Sequence, residues 1–264
     1  MMKTLVALLL LVASFIASGH GSSEEAAYQI YPLRLKSGAG SDGATVQGIT
    51  CASWRLGVEA HNIIEWTTVP TECENYVGNY MLGQQYRQDS KAVNREAYLY
   101  VRALPLPKDG RNVWVFDIDE TSLSNLPYYA QNGFGAEPYN STKFNAWVET
   151  GAAPALPETQ KLYNKLLNLG IKIVFLTGRP ISQTEVTSSN LKKAGYQTWL
   201  KLILKNTTEY SGATAMVYKS AEREKLEKEG YRIVGNIGDQ WSDILGTSTG
   251  RRTFKLPDPM YYLS

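Results

Sequence analysis

The chain has 264 residues, 43% of them hydrophobic and 20% charged, with a formal net charge of +2 at pH 7. That length buries a sizeable core and sits near the upper limit for one domain. These proportions exclude disordered and fibrous architectures, and so balanced a charge excludes a nucleic-acid binder built on a basic stripe.

The chain opens with Lys3, an apolar run from Leu5 to Ile16 broken only by Ser14, and the small residues Ala17, Ser18 and Gly19. That order is the layout of a secretory signal peptide over residues 1–19, cleaved near Gly19 or Gly21. The alternative is a membrane anchor, but 12 apolar residues are too few to span a bilayer. The mature protein is therefore expected in the secretory pathway, outside the cell or in a vacuole, and free of the membrane. Losing Lys3 with the signal leaves 26 basic against 25 acidic residues. Two cysteines, Cys51 and Cys73, suit one disulfide in a secreted chain, contributing on the order of 3 kcal/mol by chain entropy; two unpaired buried thiols are the alternative. Asn140-Ser141-Thr142 and Asn206-Thr207-Thr208 match the N-glycosylation pattern, which matters only in that compartment.

Ser37 to Gly48 is rich in Gly, Ser and Ala and reads as a loop. Residues 49–74 hold both cysteines and show no clear period. From Asn75 to Leu104, apolar Val77, Tyr80, Met81, Val93, Ala97, Val101 and Leu104 recur near every third or fourth residue. That predicts helices, ended by Pro105 and Pro107. After Pro107 strands and helices alternate. Val113 to Phe116 is a short apolar run suited to a strand covered on both faces. Pro157 opens a helix with Leu162, Leu166 and Leu169 on one face, closed by Gly170. Ile171 to Leu176 is the next strand, and Ser182 with Glu185 has capping-box spacing for a helix ending before Gly195. Leu200 to Leu204, Ala215 to Val217 and Ile233 to Ile237 supply further strands, with a helix from Ser220 to Glu229. The alternation predicts an α/β fold, a parallel sheet flanked by helices, with its site beyond the carboxyl ends of the strands.

Four strand ends carry polar residues. Asp117 and Asp119 follow the first strand two apart, so both carboxylates face one cavity. Close carboxylates repel unless a cation lies between them, and a hard, oxygen-binding ion such as Mg²⁺ meets that need. An acidic surface turn is the plain alternative. Thr177-Gly178-Arg179 follows the second strand, where a hydroxyl and backbone N–H groups suit phosphate oxygens. Lys219, just before the predicted helix, offers an ammonium to a phosphoryl group; Lys205 is its competitor. Gly238-Asp239-Gln240-Trp241-Ser242-Asp243 follows the last strand, where Asp239 completes a metal site and Asp243 holds water or Lys219. Each signal alone is weak, and their order is the strong one.

That order (Asp117-x-Asp119-x-Thr121, Thr177, Lys219, Gly238-Asp239-x-x-x-Asp243) resembles the four motifs of the haloacid dehalogenase (HAD) superfamily. Within it, the chain is similar to the plant acid phosphatases of the class B type, which include vegetative storage proteins. The likeness also covers the signal, the Cys51–Cys73 region and Leu256-Pro257-Asp258-Pro259. It implies a HAD-like, Rossmann-type core over residues 108–264, a cap insert at 122–155, and an N-terminal helical extension at 20–107. It implies Asp117 as nucleophile and Asp119 as general acid and base. Mg²⁺ would be held by Asp117, the Asp119 carbonyl and Asp239, with Asp243 behind them, while Thr177 and Lys219 grip the phosphoryl oxygens. The substrates implied are small phosphate monoesters, and the family tendency points to a homodimer. Aromatic residues of the insert (Tyr128, Tyr129, Phe134, Tyr139, Phe144, Trp147) are expected to select the substrate or to pack the insert.

Inventory removes other phosphatase chemistries. Only His20 and His61 are present, too few for a histidine nucleophile or a two-metal centre. The rival from another class is a storage protein with little or no activity. Storage relatives can lose the nucleophile, and position 117 here is Asp.

Overall fold

In a computed structural model, residues 44–264 are described; the signal-peptide expectation and most of the predicted Ser37–Gly48 loop fall outside them. The first described elements are β1 (Thr45–Val46) and β2 (Ile49–Thr50), an antiparallel pair. Gln47 and Gly48 turn between them with φ of 50° and 82°, the left-handed pair that a tight hairpin needs. The sequence had no strand signal here, because each strand is two residues long. The Thr50 side chain then accepts from Ser53 N and caps α1 (Cys51–Glu59), and Cys51 is bonded to Cys73.

The helical stretch after Cys73 divides into α2 (Glu74–Leu82) and α3 (Gln84–Arg102). Gly83 breaks it with extended backbone, ψ 174°. On α3, Ala97 and Val101 are buried and the helix packs against α6 (Pro157–Asn168). Leu162 and Leu166 of α6 are buried, but Leu169 lies past its end and is exposed.

One five-stranded parallel sheet has the order β5–β4–β3–β6–β7. Its strands are β3 (Asn112–Phe116), β4 (Lys172–Pro180), β5 (Lys201–Lys205), β6 (Arg232–Gly238) and β7 (Thr253–Lys255). Side chains alternate across β3. Trp114 and Phe116 join the core that includes Ile173, Phe175 and Leu166, while Val113 and Val115 join Val174, Leu176, Tyr218 and Leu226 on the other face. Both faces are covered, so the strand reads as a continuous apolar run. The remaining helices are α4 (Leu126–Tyr129), α5 (Ser141–Glu149), α7 (Thr184–Lys193), α8 (Ala215–Lys228) and α9 (Trp241–Ile244). Among the described residues no helix is long and apolar enough to cross a membrane.

Two sequence expectations are corrected. Ala215 to Val217 is the first turn of α8, not a strand. The Thr214 side chain accepts from Val217 N and caps that turn, and Met216 and Val217 are 37% and 54% exposed, so the run lacks the covered faces a strand would need. The fifth strand is β7. Ser182 lies in a 3-10 turn, Ile181–Gln183, and α7 begins at Thr184 without a side-chain cap; the capping-box spacing at Ser182 is coincidental.

From β3 the chain builds β4 and β5 on one side, then returns to place β6 and β7 on the other. The order reverses between β3 and β6, and such a switch point opens a crevice at the strand ends.

Candidate active site

Asp117 follows β3 at that switch point, and its N–H continues the sheet by donating to Ile237 O at 3.0 Å. Asp239 follows β6 directly. Gln240 and Asp243 form a capping box on α9, with Gln240 N donating to Asp243 Oδ2 at 2.9 Å. The box folds Asp243 back over Gly238, where a Cβ would meet the Asp243 side chain at 2.3 Å. Only glycine permits that approach. Asp117, Asp239 and Asp243 are all buried, and each offers a carboxylate oxygen within 4.8 Å of the others.

Lys219 points into this cluster from α8. Its ammonium donates to Asp117 Oδ1 and, at 2.5 Å, to Asp243 Oδ1. Because α8 begins at Ala215, Lys219 sits within the helix and not before it, as the sequence reading had it. Lys205 is elsewhere, donating to Ala213 O at 2.8 Å. Burial disfavours the Lys219 charge, but Asp117 and Asp243 outweigh it and hold the ammonium protonated. Burial and the Asp243 charge push Asp117 above the ordinary carboxylate range, against the pull of Lys219; burial and Asp243 also raise Asp239. With all three carboxylates ionised, one ammonium would leave two negative charges in a buried space, which a cation would offset. An all-oxygen donor set with that deficit fits one hard divalent cation.

Asp119 is arranged differently. Its carboxylate accepts from Arg179 Nη2 and Asn125 Nδ2, both at 2.7 Å, and from Arg179 Nε. Burial alone would raise its pKa; the Arg179 charge and these bonds prevail and hold it below the ordinary range. Its side chain therefore stands outside the carboxylate cluster, paired with its own cation. Thr177, fully buried, donates weakly to Asp119 Oδ2 at 3.4 Å and accepts from Arg179 N at 3.1 Å.

Several residues at the site carried little or no local sequence signal. Arg179 was visible in the Thr-Gly-Arg turn, but nothing there indicated Asp119 as its partner. Asn125 receives Trp147 Nε1–H at 2.9 Å, which ties helix α5 of the insert to the Asp119 carboxylate. Thr121, already named in the first motif, donates through Oγ1 to Asp239 Oδ1 at 3.0 Å, a partner the sequence did not indicate. Glu120 is fully buried in a left-handed conformation, φ 50°, and accepts from Asn125 N; burial, then the Asp239 charge, push it up to about 8. Arg223, also fully buried, donates to the carbonyls of Asp243, Leu245 and Thr247, gathering the turn that holds Asp243. Of the insert aromatics, Tyr128, Tyr129 and Phe134 are buried in a core shared with Trp54, Tyr76 and Tyr80 of the N-terminal extension. Tyr139 is 62% exposed.

A parallel sheet with these carboxylates and a buried lysine at its switch point fits a phosphatase of the HAD type. A solved class C acid phosphatase from Bacillus anthracis has the same fold, with a TM-score of 0.60 over 73% of this chain and 86% of that one, at 19% identity. The model of the HAD superfamily, subfamily IIIB (acid phosphatase), matches residues 36–264, and the chain belongs to that family of acid phosphatases. It is 55% identical over 239 residues to a stem 28 kDa glycoprotein of Glycine max, covering 90% of this chain and 92% of that one. It is 48% identical over 215 residues to acid phosphatase 1 of Solanum lycopersicum (81% and 84%). To vegetative storage protein 1 of Arabidopsis thaliana it is 47% identical over 224 residues (84% and 82%).

Proposed function

We propose that the chain hydrolyses small phosphate monoesters in two steps, with Asp117 as nucleophile and Mg²⁺ as cofactor. A carboxylate Oδ of Asp117 bonds to phosphorus as the bond from phosphorus to the leaving oxygen breaks. The leaving oxygen takes its proton from Asp119. Water then attacks the aspartyl-phosphate, giving its proton to Asp119, and the Asp117 carboxylate departs. Asp117, Asp239 and the Asp119 carbonyl would hold Mg²⁺, which would supply charge neutralisation for the phosphoryl oxygens. Lys219 and Thr177 bind the remaining oxygens, and Asp243 keeps Lys219 aimed at Asp117. Phosphoryl transfer depends on such positioning more than on covalent help.

The two aspartates need opposite protonation states, and their surroundings differ accordingly. Asp119 begins ionised against Arg179. An incoming phosphate dianion competes for that guanidinium. As the ion pair weakens, Asp119 loses what held its pKa down and takes up a proton at acidic pH.

The observation that carries this reading is the buried Lys219 ammonium bridging Asp117 and Asp243 beside Asp239. Its test is p-nitrophenyl phosphate turnover at mildly acidic pH, with and without EDTA. Activity is expected to vanish in EDTA and return with Mg²⁺, and to be lost in Asp117→Asn. Turnover that ignores chelation or survives D117N refutes the mechanism.

We further infer passage through the secretory pathway to the vacuole or cell exterior; homodimerisation is proposed on the family resemblance alone. The Cys51–Cys73 bond supports an oxidising compartment. Asn140 and Asn206 use Oδ1 to accept backbone N–H groups, leaving Nδ2, where a glycan attaches, outside those bonds. The similarity to a vegetative storage protein favours a second reading, bulk storage with little turnover. Absence of phosphatase activity in folded, Mg²⁺-loaded protein would select it.

A further inference from the structure

The segment after β7 touches three of the parts that build the site. Met260 is 1% exposed, and its carbonyl lies so close to Gly135 of the insert that a Cβ there would meet it at 1.9 Å. The Tyr261 ring stacks on Tyr129, centroids 5.5 Å apart and planes within 12°. Leu263 N donates to Gln240 Oε1 at 3.1 Å, and Ala215 N donates to Ser264 O at 2.8 Å, at the start of the helix that carries Lys219. Residues 256–264 thus strap the insert, the end of β6 and α8 together.

One bond of the strap reaches the cation cluster. Tyr261 OH donates to Asp239 Oδ2 at 2.8 Å. Gln240 Nε2 donates to the same oxygen at 2.8 Å, and Thr121 Oγ1 to Oδ1 at 3.0 Å. A carboxylate offers about four lone-pair positions, and these donors take three, leaving one on Oδ1.

We propose that Tyr261 is a positioning residue for the divalent cation: its hydroxyl fixes the Asp239 carboxylate so that the free lone pair is presented to the ion. The proposal rests on the cation reading above. Donors behind a ligating group typically contribute about 10- to 100-fold to metal affinity. Without the hydroxyl, Asp239 Oδ2 loses one of its donors, and the carboxylate turns more freely.

The test uses Tyr261→Phe, which keeps the ring on Tyr129 and removes only the hydroxyl. Mn²⁺ binding is titrated calorimetrically without substrate, alongside wild type, Asp239→Asn and Tyr262→Phe. Y261F is expected to bind Mn²⁺ about 10- to 100-fold more weakly, with kcat restored at saturating metal and KM for p-nitrophenyl phosphate unchanged. Y262F, whose ring packs near Trp66, is expected to bind as wild type does. Equal affinity in Y261F and wild type overturns the proposal, as does a kcat loss that saturating metal leaves uncorrected. A wild-type chain that binds no Mn²⁺ instead overturns the cation reading itself.

Discussion

Replacing Lys219 with Met tests the site at its electrostatic centre. The side chain is 6% exposed, contacts Asp117, and lies 2.5 Å from Asp243 Oδ1. Met fills a similar volume without the charge, so Asp117, Asp239 and Asp243 lose the one ammonium among them. Removing one partner of a buried ion pair costs about 3–5 kcal/mol, and in a chain of this size each kcal/mol moves Tm by about 2–4 °C. Tm in EDTA at neutral pH should therefore fall by roughly 6–20 °C. Losing one preorganised contact to the phosphoryl oxygens should lower kcat about 10²- to 10³-fold. The stability loss should depend on pH. Without Lys219 nothing offsets the burial and carboxylate charge that already raise Asp117, so its folded-state pKa climbs further above the unfolded value. A raised group stabilises fully below its unfolded pKa and loses that contribution as pH rises through its folded pKa. The Tm deficit should thus be small in acid and large at neutral pH. Adding Asp243→Asn removes one orphaned charge, so K219M/D243N should regain part of the Tm and none of the kcat. The reasoning fails if K219M keeps kcat within about threefold of wild type at saturating Mg²⁺ and substrate, or if its Tm deficit is the same at both pH values.

Glu120 and Asp258 are fully buried and rise from ordinary values of 4.5 and 3.8 to about 8, through burial first and then neighbouring carboxylate charge. Both shifts are upward, so the associated stability is present in acid and lost as pH rises towards 8. In EDTA the unfolding free energy from urea titration should fall steadily across that range, by on the order of 5 kcal/mol because the two groups interact; Glu120→Gln should flatten the slope. Gly238→Ala should cost about 1–3 kcal/mol through overpacking, because its Cβ would meet Asp243 at 2.3 Å. The displaced Asp243 should also release Lys219, so thermal melting and p-nitrophenyl phosphate turnover should fall together.

The sequence alone determined the α/β alternation, the parallel sheet and the places of Asp117 and Asp239 just past their strands; Thr177, expected past its strand too, lies inside β4. Those signals are local: an apolar run that must be covered on two faces, and polar residues where it stops. Local signals failed where two conformations share them. Ala215 to Val217 is apolar and short enough for a strand, and only the Thr214 cap and the exposure of Met216 and Val217 make it helix. That register set Lys219 on α8, and its contacts excluded Lys205, a choice the sequence left open.

Tertiary structure alone decided which charges meet. Arg179 neutralises Asp119 from 60 residues away, and Tyr261 reaches Asp239 across 22. No periodicity reports such pairs, because they depend on strand order and on how the chain crosses the sheet ends. Electrostatic and hydrogen-bond energies are set by distance in space and by burial, and sequence separation enters neither.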